Sequence, residues 1–265
     1  MTDLLSNTEI ERYQHDGYVV PDYALPPETM AELDSALEET IVSNPSVRPE
    51  HLVSVHIDRL NDEGIRGHSA WLNLAQNPEI LDRVEQLIGP DIILWGCQVF
   101  CKPASDGMEV PMHQDCHYWP IQPLATCTAW VAIDDSNVGN GCLRVIPGSH
   151  SGKHYYQHSK SDREHLVLNQ HVDDPRVDIG DAVDVELRPG QFSLHDAYMI
   201  HGSNPNTSNE RRAGVAIRYM PATSHFNRSL YETSDNAGYL VNMATRPFWL
   251  VRGNDRSNND LQIGH

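Results

Sequence analysis

Two short segments that lie far apart in the chain carry the residue types of a transition-metal site. His113 and Asp115 are separated by one residue within the segment 110–119. In an extended strand, residues two apart point to the same face and can reach one point in space. His201, at the start of the segment 201–212, offers a third ligand. Two imidazoles and one carboxylate form the facial triad of non-haem Fe(II) oxygenases, which leaves metal positions open for other ligands.

The second part of the chain has the composition of a β-rich core that would bring these segments together. Short apolar and β-branched runs alternate with turns that are rich in Gly, Pro and Asn, a pattern typical of a sandwich or a jelly-roll barrel. The predicted strands are 18–20, 92–100, 126–133, 142–146, 166–168, 182–185, 191–194 and 213–219. Such a barrel places distant strands side by side, so a long separation between the two His segments is expected.

Helical signals are concentrated in the first 90 residues. A capping box at Ser6 and Glu9 predicts a helix that ends near Gly17. Apolar residues spaced three and four apart predict a second helix that Pro26-Pro27 starts and Asn44-Pro45 ends. Another helix is predicted from Pro78 to the stop at Gly89-Pro90, and residues 69–76 are expected to be helical.

From these elements we predict a single domain over residues 1–265, mainly β with flanking α-helices. Its helical N-terminal part, 1–90, packs on the outside of a barrel formed by 91–220. The loop 46–67 is interpreted as a surface connection or, alternatively, as an active-site lid. The C-terminal tail, 252–265, is rich in Asn and Asp and is expected on the surface or partly disordered.

The composition of the chain argues against some classes of binding partner. The formal net charge of −18 disfavours nucleic acid and anionic membrane surfaces. The five cysteines are odd in number and lack the C-x2-C spacing of a zinc site, so we expect free thiols in a reducing compartment. The N-terminus has neither a basic start nor a long apolar run. These features predict a cytoplasmic protein, and they leave the oligomeric state open.

The motifs together resemble the phytanoyl-CoA dioxygenase family of Fe(II)/2-oxoglutarate-dependent oxygenases. The similarity runs over nearly the whole sequence and is carried by DGYVV, MHQD, TAWVAIDD, NGCLRVIPGSH and IHGSNPNTSNERRAGVAIRY. It implies a double-stranded β-helix (jelly-roll, cupin-like) core, an octahedral iron site, 2-oxoglutarate as cosubstrate, and O2.

The resemblance also assigns roles to individual residues. His113, Asp115 and His201 match the iron ligands. Arg212 matches the arginine that binds the distal carboxylate of 2-oxoglutarate, and Ser203 the hydroxyl beside it. A planar guanidinium suits a carboxylate in charge and in geometry.

Further positions of the cosubstrate pocket are implied less directly. Trp130 and Lys102 match pocket residues of the family, and Gln98, on the preceding strand, is a similar case. Many members have a tryptophan just before H-x-D, where this sequence has Met112. We expect Met112 to alter the pocket wall but not the ligands.

Four residues are candidates for contact with the substrate. If the strand continues past the triad, His117 keeps phase with its ligands, and Tyr118 and Trp119 follow directly. Arg218 lies six residues after Arg212, hence on the same strand face, where it would meet an anionic group. Each has a structural alternative: solvent exposure for the histidine, core packing for the two aromatic residues and a salt bridge for the arginine.

Four other polar residues have structural interpretations. Arg211 should point away from Arg212 and be exposed. His195 is interpreted as a hydrogen-bonded core residue and His150 as an anchor of a turn. Arg144 has the same two interpretations as Arg218, a salt bridge or a contact with an anionic substrate.

The predicted activity is that of a hydroxylase that releases succinate and CO2. Related halogenases have Ala or Gly where this chain has Asp115, so we expect hydroxylation and not chlorination. The expected substrate is a small anionic or zwitterionic molecule, such as an amino acid, an aminoalkylphosphonate or a natural-product intermediate. Two alternatives stay open: a non-catalytic metal- or ligand-binding sensor barrel, and a cupin-type metalloenzyme that does not use 2-oxoglutarate.

Overall fold

Two antiparallel sheets of unequal size dominate the computed structural model, which describes residues 4–229 and 242–265. The larger sheet has the spatial order β1 (Tyr18–Val19), β11 (Phe192–Asp196), β6 (Cys127–Ala132), β13 (Arg212–Pro221), β3 (Ile92–Lys102) and β15 (Trp249–Arg252), and β2 (Leu52–Val53) also pairs with β3. The smaller sheet has the order β10 (Val183–Val185), β7 (Leu143–Val145), β12 (Ile200–Ser203) and β4 (Val110–Gln114). Two separate two-stranded sheets accompany them: β5 (Ile121–Gln122) with β14 (His225–Phe226), and β8 (His158–Lys160) with β9 (Gln170–Val172).

The two sheets face each other across a shared apolar layer. Trp130 and Ala216 of the larger sheet pack in one buried cluster with Leu143, Val145 and Val185 of the smaller sheet. Side chains alternate along each strand, so one set of residues enters this layer and the other faces outward. The two-sheet architecture confirms the predicted mainly β fold class.

Four helices within residues 7–88 cover the outer face of the larger sheet. They are α1 (Asn7–Asp16), α2 (Pro27–Ser43), α3 (Ser69–Ala75) and α4 (Pro78–Ile88). Buried residues of α2, α3 and α4, among them Leu37, Trp71 and Ile80, belong to the same core cluster as Val99 and Val215 of the sheet. Burial of this apolar face, at about 25 cal/mol for each Å² removed from water, holds the helices to the sheet.

Local sequence signals set the helix ends as predicted. Ser6 and Glu9 form the capping box of α1, and Gly17 ends the helix with φ 82°, a left-handed conformation that glycine adopts without strain. Asn77 caps α4, whose first residue is a proline.

Two local predictions are wrong. Residues 166–168 do not form a strand: Leu166 makes only an isolated parallel bridge with Glu109, and the strand of this region is β9. Strand β4 ends at Gln114, and Asp115 begins a short 3-10 helix, Asp115–Tyr118. The alternation that would have aligned His117 with the triad therefore stops at Gln114.

The C-terminal segment 252–265 lies mostly at the surface, which is one of the two alternatives expected for it. Asn259 is its buried residue, and it donates to the Ser224 carbonyl and accepts from the backbone N–H of Phe226. Arg256 forms an ion pair with Asp91 at 2.8 Å. These contacts attach the segment to the neighbouring loop.

All five cysteines are free and buried, as predicted. Burial raises the pKa of Cys97 and of Cys101 to about 12, so both are inert thiols at neutral pH. Within residues 4–229 and 242–265, no helix is long and apolar enough to cross a membrane. The division into helical part, barrel and tail as one domain stays a prediction.

Candidate metal centre

The smaller sheet brings the three predicted ligands to one point. His113 on β4 and His201 on β12 are paired directly across the strands, and their ring centroids lie 4.3 Å apart. Asp115 follows the end of β4, and its carboxylate lies 3.6 Å from Nε2 of His113 and 4.0 Å from Nε2 of His201. One nitrogen or oxygen atom from each of the three side chains lies within 4.8 Å of the others. All three residues are buried.

Backbone carbonyl groups orient both imidazoles. Nδ1 of His113 lies 2.8 Å from the carbonyl oxygen of Pro111, and Nδ1 of His201 lies 3.1 Å from that of Met199. A carbonyl oxygen only accepts, so Nδ1 carries the proton in each ring and donates it. In this tautomer the unprotonated Nε2 of each ring lies toward Asp115. This outer hydrogen bond is the arrangement that usually fixes a metal-binding histidine.

The electrostatics favour the ligand form of His201 and of Asp115. Burial lowers the pKa of His201 to about 3, helped by the neighbouring His113, so the ring is neutral at physiological pH. Burial pushes the pKa of Asp115 upward, but its interactions with His113 and His201, together with the positive charge of Arg218, outweigh burial and hold that pKa well below its ordinary value. A neutral imidazole and an ionised carboxylate are the states that bind a divalent metal.

Arg212 lines the same cavity as the triad, on the facing sheet. Its side chain is buried, and one terminal nitrogen donates to the carbonyl of Phe100 at 3.3 Å. Burial lowers the pKa of Arg212 to about 10. Among the residues that the structure describes, no carboxylate forms an ion pair with this guanidinium, and its Nε has no hydrogen-bond partner. A buried cation without a counter-ion is costly, so the arrangement suits an anionic ligand.

Lys102 and Ser203 lie beside this arginine. Lys102 is paired with Arg212 across β3 and β13, and its ammonium group donates to the carbonyl groups of Ser203 and Asn204. Burial, followed by the charge of Arg212, lowers the pKa of Lys102 to about 6. Lys102 is thus anchored to the end of β12. Ser203 itself lines the cavity, whereas Lys102 contacts its backbone from behind.

Trp130 forms a wall of the cavity between Arg212 and the rest of the larger sheet. The guanidinium carbon of Arg212 lies 5.3 Å from the centre of the indole, within the range of a cation–π contact. The indole crosses β13 at Gly214, where a Cβ atom would lie 2.3 Å from the ring. Glycine is therefore required at position 214 for Trp130 to take this position.

The other predicted pocket residues divide into three groups. Gln98, Trp119 and Arg218 line the cavity, whose volume is about 170 Å³. The side chains of His117 and Tyr118 lie outside the part of the chain that the structure describes, so their roles stay predictions. Met112 is not on the pocket wall, contrary to expectation, because it packs with Ile146, Val172 and Ile200 on the other side of β4.

Of the polar residues interpreted as structural, three behave as expected in part or in full. Arg144 forms an ion pair with Asp184 at 3.3 Å. The ring of His150 lies 3.1 Å from the carbonyl of Gln14 and so anchors its turn. Arg211 points away from the cavity as predicted, but it is only partly exposed because three carboxylates surround it.

His195 is buried, but it is not the hydrogen-bonded core residue that we expected. Its ring lines the cavity, with its centroid 4.9 Å from that of His201. Neither ring nitrogen has a hydrogen-bond partner in the structure. Burial lowers the pKa of His195 to about 4.

Several cavity residues were not identified from the sequence. They come from three places: the walls of the larger sheet, the segment before β9, and the C-terminal part of the chain, and they include Trp95, Thr128, Val167, Leu168, Met243 and Arg246. Thr128 had a usable signal, since it lies two residues before Trp130 on a predicted strand. The segment 167–170 and Arg246 had none, because no local periodicity relates them to the triad. The segment 46–67, interpreted from the sequence as a surface connection or alternatively as a lid, contributes Val53 to the cavity.

The comparisons with known proteins agree with this site. The family model of phytanoyl-CoA dioxygenase (PhyH) matches residues 13–214. Peroxisomal phytanoyl-CoA dioxygenase of Bos taurus is 26% identical over 234 residues, which cover 84% of this chain and 65% of the relative. The human protein of the same name is 30% identical over 160 residues, covering 56% of this chain and 45% of the relative. The chain thus spans less than two thirds of the length of either relative.

A solved structure described as the apo form of the non-haem monooxygenase ThoJ is similar in fold. Its TM-score is 0.71 at 27% identity, and the match covers 94% of this chain and 85% of that one. The chain belongs to the phytanoyl-CoA dioxygenase family, and its core is the jelly roll of these oxygenases. The cofactor and cosubstrates of the family are iron, 2-oxoglutarate and O2.

Proposed function

We propose that this chain is a 2-oxoglutarate-dependent non-haem Fe(II) dioxygenase that hydroxylates a small anionic or zwitterionic molecule. The observation that carries the proposal is the combination, in one cavity, of a buried His–Asp–His cluster and a buried arginine that has no acidic partner among the described residues. A metal-binding barrel that does not use 2-oxoglutarate would gain nothing from Arg212.

In this proposal, each residue of the cluster has one task. Nε2 of His113, Nε2 of His201 and one oxygen of Asp115 hold the metal on one side, and mixed nitrogen and oxygen donors of this kind suit Fe(II). The carbonyl groups behind both rings keep the protons on Nδ1. When bound, iron and 2-oxoglutarate supply the oxidising chemistry that converts R–H, 2-oxoglutarate and O2 into R–OH, succinate and CO2.

Arg212 and its neighbours bind and orient the cosubstrate. The guanidinium presents paired N–H groups that match a carboxylate, so the distal carboxylate of 2-oxoglutarate is its proposed ligand. Ser203, Trp130 and Gln98 line the surrounding cavity, and Lys102 holds the end of β12 in place. Charge balance supports this arrangement: Fe(II), Asp115 and a dianionic cosubstrate sum to −1, which Arg212 neutralises.

The substrate is proposed to be anionic because a second arginine faces the cavity. Arg218 lines it from the same strand as Arg212. Hydroxylation, as opposed to chlorination, is proposed because Asp115 fills the position that a halide would need. The amino acids, aminoalkylphosphonates and acidic natural-product intermediates named from the sequence remain the proposed substrate classes.

The test starts without oxygen and without substrate. Anaerobic addition of Fe(II) and 2-oxoglutarate should produce the visible charge-transfer band of a chelated keto acid. Admission of O2 with a panel of small acids should then release succinate and yield a product that contains one added oxygen atom. Asp115→Ala serves as the blank.

Each alternative predicts a different result. A cupin-type metalloenzyme gives no band. A sensor barrel gives the band but no turnover on the panel, and a chlorinated product in the presence of chloride would contradict the proposed role of Asp115. A product with no added oxygen would exclude hydroxylation while retaining the oxygenase class.

A further inference from the structure

Three polar side chains form a row across the wall of the cavity, one strand apart from each other. His195 on β11 is paired with Thr128 on β6, and Thr128 is paired with Arg218 on β13. All three line the cavity that contains the triad. Because neighbouring strands lie about 4.8 Å apart, the row spans about 10 Å from one end to the other.

The members of this row lack the partners that buried polar groups normally have. His195 is 2% exposed and Thr128 is 1% exposed. Neither nitrogen of His195, nor the hydroxyl of Thr128, nor Nε of Arg218 has a hydrogen-bond partner. Over the described ranges, 4–229 and 242–265, no carboxylate forms an ion pair with Arg218. Unsatisfied buried donors cost stability, so three of them at one level of the sheet require an explanation.

The surroundings of the row give it two chemically different ends. At the Arg218 end, the guanidinium carbon lies 5.7 Å from the ring centre of Trp119, which packs edge-on against Trp95 with a centroid distance of 4.4 Å. This end combines one positive charge with flat apolar walls. At the other end, His195 lies against His201 of the candidate metal centre. The row thus leads from a cationic, aromatic site to the metal.

We propose that His195, Thr128 and Arg218 recognise the substrate, as a small acid whose oxyanion binds Arg218 and whose second oxygen, a hydroxyl or a carbonyl, binds Thr128 and His195. This inference rests on the proposed function and narrows its substrate class. Arg218 donates to the carboxylate or phosphonate oxygens, the hydroxyl of Thr128 donates to the second oxygen, and the imidazole of His195 offers one donor and one acceptor.

Gly96 supports a cationic site at this end of the row. It is the cross-strand partner of Arg218 on β3, and a Cβ atom on it would lie 3.1 Å from the guanidinium of Arg246. Arg246, which also lines the cavity, donates to the hydroxyl of Ser54 at 2.8 Å. The absence of a side chain at position 96 therefore lets a second guanidinium approach the oxyanion site.

The experiment measures binding in the presence of saturating 2-oxoglutarate, so that the probes do not compete for Arg212. The probes are hydroxy-substituted carboxylates and phosphonates of three to six carbons, each paired with its neutral amide or ester and with its deoxy analogue. Binding to the anaerobic Fe(II)–2-oxoglutarate protein is followed by calorimetry and by the shift of the charge-transfer band. The acids should bind at least about tenfold more tightly than their neutral partners and more tightly than the deoxy analogues.

Variants of Arg218 and Thr128 test whether these residues cause the preference for acidic and hydroxylated probes. Arg218→Gln should lose the preference for acids, Arg218→Lys should recover part of it, and Thr128→Val should lose only the preference for the hydroxylated probes. Arg144→Gln is the matched control, because Arg144 is ion-paired with Asp184 and does not line the cavity. All variants should retain the charge-transfer band.

The outcomes separate this inference from the proposed function. A band with no preference for acids, or an unchanged preference in Arg218→Gln, overturns the inference and leaves the oxygenase assignment intact. The lack of a band in the wild-type protein overturns the proposed function first. Binding of carboxylates without phosphonates, or the reverse, identifies the oxyanion and supports the inference.

Discussion

Two adjacent arginines at the start of β13 have opposite environments. Arg211 faces α2 and the preceding turn, where it forms ion pairs with Asp34, Glu38 and Asp134. Arg212 faces the cavity, where it contacts a backbone carbonyl and the indole of Trp130. The hydrogen bond with Asp134 raises the pKa of Arg211, whereas burial lowers the pKa of Arg212 to about 10.

The difference shows that residues on the outer face of this strand stabilise the fold, whereas residues on its inner face form the candidate site. On the outer face, Arg211 is matched by three carboxylates of the chain, which favours stability. On the inner face, neither Arg212 nor Arg218 forms an ion pair with a carboxylate of the described residues, so a matching anion has to come from a ligand. The same criterion distinguishes Arg144, paired with Asp184, from Arg218, which lines the cavity.

The largest expected effect is on activity, and it should distinguish a carboxylate of the cavity, Asp115, from a carboxylate on the outer face, Asp134. Asp115→Asn should lower succinate formation on the order of a thousandfold or more, because an amide cannot supply the anionic metal ligand. Asp134→Asn should retain turnover per folded molecule, since Asp134 binds Arg211 and the N–H of Ala213 outside the cavity. Single-turnover succinate assays measure both variants. Equal activities in the two variants would contradict the assignment of Asp115 to the metal site and of Asp134 to the fold.

The second effect concerns the affinity for 2-oxoglutarate. Arg212→Gln should raise the KM for 2-oxoglutarate on the order of a hundredfold, because two charge-assisted hydrogen bonds are worth about 3 kcal/mol. Arg211→Gln should leave this KM unchanged. Without the cosubstrate, Arg212→Gln should be as stable as the wild type or more stable, since it removes a buried charge. A matching rise in KM for both variants would contradict the assignment.

The sequence predicts much of the assignment of residues to the inner and outer faces, because this assignment depends on local periodicity. Strands that alternate, such as β6 and β13, fix which residues share a face, so Arg212, Arg218 and Trp130 could be assigned to one cavity from spacing and resemblance. The helix ends followed from Ser6, Gly17 and the prolines at the helix starts. The triad followed from two motifs whose residue types have one common chemistry.

What could not be predicted depends on neighbours that are distant in sequence. The charge partners of Arg211 lie 77 to 177 residues away, so its partial burial has no local signal. His195 appeared to be a core histidine because its missing hydrogen-bond partners are visible only in three dimensions. Asp115 begins a 3-10 helix where a continuing strand was expected. The segment 167–170 reaches the cavity as an irregular segment, without a period that sequence patterns could detect.

A third prediction concerns how the stability of the fold depends on pH through the buried Lys102. The pKa of Lys102 is lowered from its ordinary value of 10.5 to about 6, so the folded state holds this proton less tightly than the unfolded state does. The unfolded state therefore binds more protons between pH 6 and pH 10.5, and the stability of the wild type should rise with pH in that window. Relative to Lys102→Met, the wild type should gain about 3–4 kcal/mol between pH 6 and pH 9, because each pH unit well inside the window contributes about 1.4 kcal/mol.

Urea denaturation of both proteins without 2-oxoglutarate measures this gain. Lys160→Met, which alters an exposed lysine, is the control and should show no such change. A wild-type advantage that stays constant from pH 6 to pH 9 would mean that Lys102 remains charged in the fold.

The smallest expected effect is a change in the free energy of unfolding when the outer-face ion pairs of Arg211 are removed. Arg211→Gln should lower the free energy of unfolding by about 1–2 kcal/mol, because the pair with Asp134 is partly shielded from solvent while Asp34 and Glu38 are 62% and 57% exposed. Arg188→Gln, which removes an exposed arginine that forms no ion pair among the described residues, should change stability by less than about 0.5 kcal/mol.

Salt separates the contributions within this cluster. At high ionic strength the contacts of Arg211 with Asp34 and Glu38 are screened, but the shielded pair with Asp134 is affected much less. Denaturation curves in 1 M NaCl should therefore reduce the effect of Arg211→Gln without abolishing it. If salt removed the whole effect, Arg211 would be an ordinary surface charge, and the contrast between the two faces of β13 would rest on Arg212 alone.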